Sequence, residues 1–167
     1  LFPHDCYTFG NAVSAIAVYF GTKTFGVSNR FVHLEFFRLD RDRDGLGKKG
    51  DFVALEVNMR PAGGYTPDMI NFAHSTDVYK IWADMVAFGE SHTPIGEQYY
   101  CAFASRRDIY HYAHTHEEIL QKYGKQMVMC ERMPELFKDA MGQQMYTVKL
   151  NTYEEVEAFV AFVHEKV

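Results

Sequence analysis

Two short stretches of the chain carry acidic and amide side chains whose spacing suits metal chemistry. Phe31 to Leu39 and Phe52 to Asn58 each have the period-two pattern of a strand, in which successive side chains lie on opposite faces. The sequence therefore predicts two strands. The segment between them, DRDRDGLGKKG, is charged and rich in glycine, as expected of a hairpin loop. An antiparallel hairpin would therefore bring Glu35 beside Glu56 and Asn58.

The strand period of two assigns the side chains of each strand to opposite faces. One face of the predicted hairpin would then hold both glutamates. The residues predicted to share a face with Glu35 are Phe31, His33, Phe37 and Leu39, and those predicted to share a face with Glu56 are Phe52, Ala54 and Asn58.

Two carboxylates and an amide oxygen on one face form an all-oxygen site, which suits Mg²⁺ or Mn²⁺. Arg60 follows at once and offers a fixed, planar positive charge. Gly63 and Gly64 come next, and their backbone amides can approach a ligand closely. Metal ligands, a guanidinium and accessible amides together favour a ligand that carries phosphate.

These motifs resemble the metal-binding end of the ATP-grasp enzymes. The resemblance is carried by Glu35 in HLEFF, by EVNMRP with Glu56, Asn58 and Arg60, and by the GGYTPDMIN that follows. Biotin carboxylase, the carbamoyl-phosphate synthase large subunit and the amino-acid ligases share this pattern. The continuation after the arginine is more similar to that of carboxylate–amine ligases than to that of biotin carboxylase.

The resemblance implies roles for four residues. Glu35, Glu56 and Asn58 would hold two Mg²⁺ (or Mn²⁺) ions that bridge the phosphates of ATP. Arg60 would be a catalytic or phosphate-contacting residue. The implied reaction is that of a ligase, in which a carboxylate or bicarbonate is activated as an acyl phosphate and then attacked by an amine or another nucleophile.

The resemblance covers about Tyr7 to Met85 and only the C-terminal portion of an ATP-grasp domain. The Gly-rich flap, phosphate-binding lysines and adenine pocket of the N-terminal lobe have no counterpart in the sequence. We therefore expect a missing N-terminal lobe as partner, and an isolated chain that does not turn over ATP. The alternative is a non-catalytic binding or assembly module that retains the fold and forms a homodimer or docks a partner.

Composition narrows the class of protein. The chain has 167 residues, a length that fits one domain, and its 47% hydrophobic and 16% aromatic content indicates a packed interior. A net charge of −5 argues against a general nucleic-acid binder. No apolar run reaches the ~18 residues of a membrane-spanning helix, and no signal peptide is visible. Three widely spaced cysteines fit neither a disulfide framework nor a CxxC knuckle, so we expect a cytoplasmic protein.

The remaining pattern predicts an α+β fold, with an antiparallel sheet and helices in residues 1–90 and a small α+β cap module in residues 91–167. The resemblance implies that residues 1–90 are the C-terminal portion of an ATP-grasp domain. Thr66 is predicted to cap a helix with Pro67 in its first turn, and Ser75 or Thr76 to cap the next, which Gly89 ends. The further predicted elements are a helix over about Tyr7–Phe20, strands at Gln98–Ala104, Lys125–Cys130 and Met145–Leu150, a short helix at Pro134–Met141, helices opened by capping boxes at Thr115–Glu118 and Thr152–Glu155, and an apolar core stripe of Val78, Ile81, Trp82, Met85 and Val86.

Other polar residues have simpler explanations. His111, His114 and His116 in HYAHTH lack the spacing of a zinc site, and a polar helix start accounts for them better. His33 shares the face of Glu35, where it is either a packed histidine or a contact of the site. His74 is a weaker candidate for a substrate pocket. The default for the Arg106–Arg107 pair is exposure to solvent, and no serine or cysteine sits in a Gly-flanked elbow.

Overall fold

The structure, a computed structural model, describes Gly26 and residues 31–167. The helices are mixed with two antiparallel sheets, which confirms the predicted α+β class. The predicted Tyr7–Phe20 helix lies outside the described residues. In chain order the elements are β1 (His33–Arg38), β2 (Phe52–Asn58), α1 (Thr66–His74), α2 (Val78–Phe88), β3 (Tyr100–Arg106), α3 (His116–Tyr123), β4 (Met127–Arg132), α4 (Lys138–Met141), β5 (Gln144–Leu150) and α5 (Tyr153–His164).

Strands β1 and β2 form the predicted hairpin. They pair antiparallel, with Glu35 opposite Glu56 and His33 opposite Asn58. The loop between them is held by its own polar groups: Asp42 accepts hydrogen bonds from the Lys49 backbone N–H at 2.9 Å and from Lys48 Nζ at 3.0 Å. These bonds lower the pKa of Asp42, the backbone one contributing most. Hydrogen bonds from its own charged residues therefore help to hold this loop.

A register shift in β2 corrects one part of the sequence prediction. Glu35 pairs with Glu56, whereas the next residue of β1, Phe36, pairs with Ala54, so Leu55 is the extra residue of a bulge. Beyond the bulge the alternation of β2 is reversed, and Phe52 packs edge-on against Phe36 with ring centroids 6.4 Å apart. The prediction that Phe52 and Ala54 share a face with Glu56 is wrong, because a strand pattern read residue by residue does not account for a bulge.

The second sheet has the order β3–β5–β4, and both pairings are antiparallel. Helices lie on both of its faces. Ala102 and Ala104 of β3 lie in the cluster formed with α3 and α5, while Phe103, which points the other way, stacks on Tyr65 at the start of α1 with centroids 6.5 Å apart. The central strand β5 is covered on both faces, since successive residues such as Tyr146 and Thr147 are both buried.

The main hydrophobic core joins β3 and β5 to α3 and α5. Apolar residues of α5 recur at helical spacing, which places Phe159 and Val163 against the sheet. Phe159 is fully buried, and its ring meets that of Tyr123 edge-on at 5.1 Å. The buried members of this core are Ala102, Ala104, Ile119, Tyr123, Tyr146, Val148, Leu150, Phe159 and Val163.

Both capping boxes predicted from the sequence are confirmed. The Thr115 side chain accepts from Glu118 N, and the Glu118 side chain accepts from Thr115 N in return. Thr152 and Glu155 make the same reciprocal pair at the start of α5. Each box satisfies two backbone donors that the first helical turn would otherwise leave without partners.

The predicted caps of α1 and α2 are wrong. The N-cap of α1 is Tyr65 rather than Thr66, and it makes no side-chain capping bond, although Pro67 does lie in the first turn. Ser75 adopts a left-handed conformation at the end of α1. The carboxylate of Asp77 accepts from Lys80 N at 2.9 Å and so caps α2. Several adjacent residues can cap a helix, and sequence does not rank them.

The apolar stripe of α2 is only partly core. Val78 is buried and the Ile81 and Met85 side chains are half-buried, but Trp82 is 42% and Val86 75% exposed. The prediction that Trp82 and Val86 belong to the core is wrong. Helical periodicity shows that a helix has an apolar side, and it does not show whether anything covers that side.

The chain divides into two compact units: Leu1–Ala62 with Ile81–Ser91, called the hairpin unit here, and Gly63–Lys80 with His92–Val167, called the sheet unit. The sequence predicts one boundary, between residues 90 and 91; the sheet unit also takes in Gly63–Lys80, which the prediction assigns to the first part. None of the helices within residues 31–167 combines the length and the apolar character needed to cross a bilayer.

Candidate metal and phosphate site

The acidic residues of the hairpin lie side by side across β1 and β2. Glu35 and Glu56 are direct cross-strand partners, and Asn58 lies two residues further along β2 on the same face. The bulge at Leu55 falls immediately before Glu56. Bulges commonly redirect a side chain beside a functional site, and this one sets Glu56 opposite Glu35 while turning Phe52 toward Phe36.

Hydrogen bonds link these side chains along each strand. Asn58 Nδ2 donates to Glu56 Oε1 at 2.7 Å. His33 Nε2 lies 3.0 Å from Glu35 Oε1. The structure thus brings together the three residues predicted as metal ligands, and His33 contacts one of them. Asn58 turns its amide nitrogen toward Glu56, so binding a cation through its oxygen requires the amide to rotate by half a turn.

The charge at this place is unbalanced. Like charges directly opposite each other in a sheet destabilise the pairing. Among the salt bridges of the described residues, none joins a lysine or arginine to Glu35 or Glu56. Glu56 is exposed and Glu35 half-exposed, so water screens part of the repulsion. A divalent cation between the two carboxylates would remove it, and hard oxygen donors are the ligands that Mg²⁺ and Mn²⁺ take. The donor set therefore fits the implied ions.

Arg60 follows β2 and is exposed. Its Nη1 donates to the carbonyl oxygen of Pro61 at 2.9 Å, which uses one of its five donors and holds the side chain near the backbone. A guanidinium in this state can bind a phosphate oxygen through its other donors. Gly64 has a φ of +60°, a left-handed conformation that explains glycine at this position.

The histidines of HYAHTH have other partners in the sheet unit. His114 stacks on Phe162 with ring centroids 3.6 Å apart, and its Nε2 lies 2.9 Å from Glu165 Oε2. His116 is the first residue of α3, and its Nδ1 lies 2.9 Å from the hydroxyl of Tyr146. These contacts engage two of the three rings in packing and hydrogen bonds. His74 is half-buried in the last turn of α1.

Arg106 is buried, so the prediction that the Arg106–Arg107 pair is exposed to solvent is wrong for it. Its Nε donates to the carbonyl of Val163 at 2.7 Å and its Nη1 to the carbonyl of His114 at 2.6 Å. The guanidinium lies 4.4 Å from the centre of the Tyr112 ring. Burial lowers the pKa of Arg106, and the nearby tyrosines oppose this shift.

The role of Arg106 is structural, because it satisfies carbonyls at the end of α5 and before α3. Sequence reasoning missed this burial. The signal available was its position on the same strand face as Ala102 and Ala104, both of which are buried. Arg107 is half-buried and donates from Nη2 to the carbonyl of Asp139 at 2.9 Å.

Comparison with other proteins adds no assignment to this geometry. A scan against protein-family models gives no match, and neither does a search of curated proteins. The assignment of the site therefore depends on the residues and on their arrangement in the hairpin.

Proposed function

We propose that this chain supplies the metal-binding end of an ATP-dependent ligase of the ATP-grasp type. The observation that carries the proposal is the direct pairing of Glu35 with Glu56, with Asn58 next to it on the same face. The ATP-grasp pattern assigns ion ligation to these three residues, and the hairpin gathers all three at one end. Arg60 follows within two residues of Asn58.

Each side chain has a defined task in this proposal. Glu35, Glu56 and Asn58 would hold Mg²⁺ or Mn²⁺, and the bound ion would supply positive charge to neutralise and align the phosphates of ATP. Arg60 binds the transferring phosphoryl group or the acyl phosphate through its N–H donors. The carboxylate or bicarbonate substrate attacks the γ-phosphorus of ATP, the bond from that phosphorus to the β–γ bridging oxygen breaks, and ADP leaves. An amine or another nucleophile then attacks the acyl carbon of the acyl phosphate and displaces inorganic phosphate. No side-chain nucleophile is required.

The proposal includes a partner for the hairpin. In ATP-grasp enzymes an N-terminal lobe supplies the residues that bind the adenine and also contact the phosphates. We expect Leu1–Val167 alone to show no appreciable ATP turnover. Mg²⁺-dependent release of ADP by the purified chain, abolished by Glu56→Ala, would contradict this expectation.

Calorimetric titration of the purified chain with ADP in the presence of Mg²⁺ tests the proposal. We expect binding with a millimolar or lower Kd that is lost without Mg²⁺ and lost in Glu56→Ala. Asp44→Ala is the matched control, since it also removes one carboxylate from the hairpin, in the exposed loop between the strands. Absence of binding by the folded wild-type chain, or equal losses in both variants, would contradict the ligase assignment.

A non-catalytic binding or assembly module is the second candidate. It is favoured by the exposed apolar side chains of α2, where Trp82, Val86 and Phe88 are 42%, 75% and 77% exposed. Such a module would bind neither Mg²⁺ nor ADP through Glu56. Sedimentation of the chain, with Val86→Lys as the variant that disrupts the apolar surface, would then show a dimer that the substitution dissociates.

We also propose a cytoplasmic location. Cys101 and Cys130 are both free thiols, as expected in a reducing compartment. Burial raises the pKa of Cys101 to about 11, so this thiol stays protonated and unreactive at neutral pH.

A further inference from the structure

The acidic pair of the hairpin has a nitrogen donor beside it. Within residues 31–167, the set of His, Cys, Asp and Glu side chains that could hold one ion is His33, Glu35 and Glu56, whose ligand atoms all lie within 4.8 Å of one another. The ATP-grasp resemblance assigns no role to His33. Its inclusion changes the donor set from oxygen alone to oxygen and nitrogen.

The distances fit a shared ion. In an octahedral site with metal–ligand bonds of about 2.1 Å, adjacent ligands lie about 3.0 Å apart and opposite ones about 4.2 Å. His33 Nε2 and Glu35 Oε1 are 3.0 Å apart, the length of one octahedral edge. The distances to Glu56 fall within the limit of 4.8 Å, so a small movement of an exposed glutamate closes the site.

The imidazole ring is also largely buried. The His33 side chain is only 18% exposed, against 43% for Glu35. Its Nδ1 is buried and has no hydrogen-bond partner among the described residues, which leaves Nε2 as the nitrogen that faces the carboxylates. A largely buried ring has less rotational freedom to lose when it binds an ion than an exposed one.

Nitrogen changes which ion the site prefers. Mg²⁺ takes oxygen ligands and keeps several waters, whereas imidazole is a good ligand for first-row transition metals. We propose that His33 is a ligand of the cation site, and that the site therefore selects a transition-metal ion such as Mn²⁺ over Mg²⁺. This inference rests on the proposed function only in taking the Glu35–Glu56 pair as the site of the cation.

The competing role for His33 is positioning, in which Nε2–H only orients Glu35 by a hydrogen bond. The two roles differ in a direct observable. A ligating imidazole places a ¹⁴N nucleus in the coordination shell of Mn²⁺, and pulsed electron paramagnetic resonance detects its coupling. A positioning histidine gives no directly bonded nitrogen.

The test is Mn²⁺ and Mg²⁺ binding by the wild-type chain, His33→Gln and His111→Gln at one neutral pH. His33→Gln keeps an N–H donor for Glu35 but removes the imidazole, and His111 is an exposed histidine of the sheet unit. We expect ¹⁴N coupling in the wild type and in His111→Gln. His33→Gln should lose the coupling and weaken Mn²⁺ binding at least about tenfold, with Mg²⁺ affinity changed less than about threefold.

Each other outcome overturns the inference in a recognisable way. His33 is a positioning residue if Mn²⁺ bound to the wild type shows no ¹⁴N coupling, or if His33→Gln loses Mn²⁺ and Mg²⁺ affinity equally. The ligase proposal then stands as long as binding of ADP with Mg²⁺ still depends on Glu56. A folded wild-type chain that binds neither ion overturns both proposals.

Discussion

The β1–β2 hairpin and the three-stranded sheet are both antiparallel, but they differ in how much side-chain surface they bury. Every buried hydrophobic side chain among the described residues belongs to the sheet unit. In β2 of the hairpin, Leu55 is 54% exposed and Val57 36%. The sheet unit thus contains a buried core, whereas the contacts of the hairpin among residues 31–62 include backbone pairing, the hydrogen bonds of its loop and an aromatic pair.

The difference shows where a chain can keep two like charges together. A pair of carboxylates without a cation is costly in a core, because burial removes the water that screens them. On the open face of the hairpin the cost is small, and Glu35 and Glu56 remain available for an ion. In the sheet unit, by contrast, the buried cation Arg106 has carbonyl and aromatic partners. The proposed ion site and the buried core therefore lie in different parts of the chain.

The two regions should differ most in the free energy of unfolding that is lost when a large apolar side chain is truncated. Phe159→Ala should lower the free energy of unfolding by about 3–5 kcal/mol, because it empties a fully buried position between α5 and the sheet. Leu55→Ala in the hairpin should cost under about 1 kcal/mol, since that side chain is mostly exposed. Urea unfolding measures both. Equal costs would show that the hairpin depends on packing as much as the sheet does.

Removal of the buried cation should have the next largest effect. Arg106→Met leaves the carbonyls of Val163 and His114 without a donor, and we expect a loss of about 2–3 kcal/mol. Arg107→Met is the control, because it removes a single hydrogen bond from a half-buried arginine and should cost about 1 kcal/mol or less. Thermal and urea unfolding compare the two. If Arg106→Met lowers the free energy of unfolding no more than Arg107→Met does, water replaces the hydrogen bonds that Arg106 makes.

A smaller effect is expected from an exposed pair of opposite charges in the sheet unit. Arg132 donates to Asp108 at 2.9 Å and lowers the pKa of that carboxyl. A lowered folded-state pKa stabilises the fold above the unfolded value of about 3.9, and this contribution disappears as the pH falls through the folded-state pKa. Because both side chains are exposed, the contribution should stay under about 1 kcal/mol.

Asp108→Asn tests this pair. The variant should be slightly less stable than the wild type at neutral pH and equally stable at a pH below both pKa values. Urea unfolding across that range gives the difference directly. A difference between the two proteins that does not shrink as the pH falls would show that Asp108 contributes through something other than its charge.

The features that sequence predicted well are those set by local chemistry. The reciprocal pairs Thr115–Glu118 and Thr152–Glu155 depend on residues three apart, and the hairpin follows from alternation on either side of a Gly-rich loop. The three candidate ligands converge because their strands are adjacent in sequence. Local rules suffice wherever the interacting residues are close along the chain.

The features that sequence missed depend on distant contacts. The bulge at Leu55 is set by how two strands fit, and the pattern of β2 gives no sign of it. Arg106 is buried because the carbonyl of Val163 and the ring of Tyr112 reach it from later segments. Trp82 lies on an apolar helix side that remains partly exposed. In each case the outcome depends on what packs nearby.

The most direct test of the central claim is the Mg²⁺ affinity of the chain with Glu35→Gln, Glu56→Gln and the double variant, measured by calorimetry alongside Asp44→Asn. If both carboxylates bind one cluster of ions, each single change should weaken binding at least about tenfold, because it removes one of the two charged ligands. The double change should add less than the sum of the single losses, since interacting positions are not additive. Asp44→Asn should bind as the wild type does. Wild-type affinity in either glutamate variant would contradict the account.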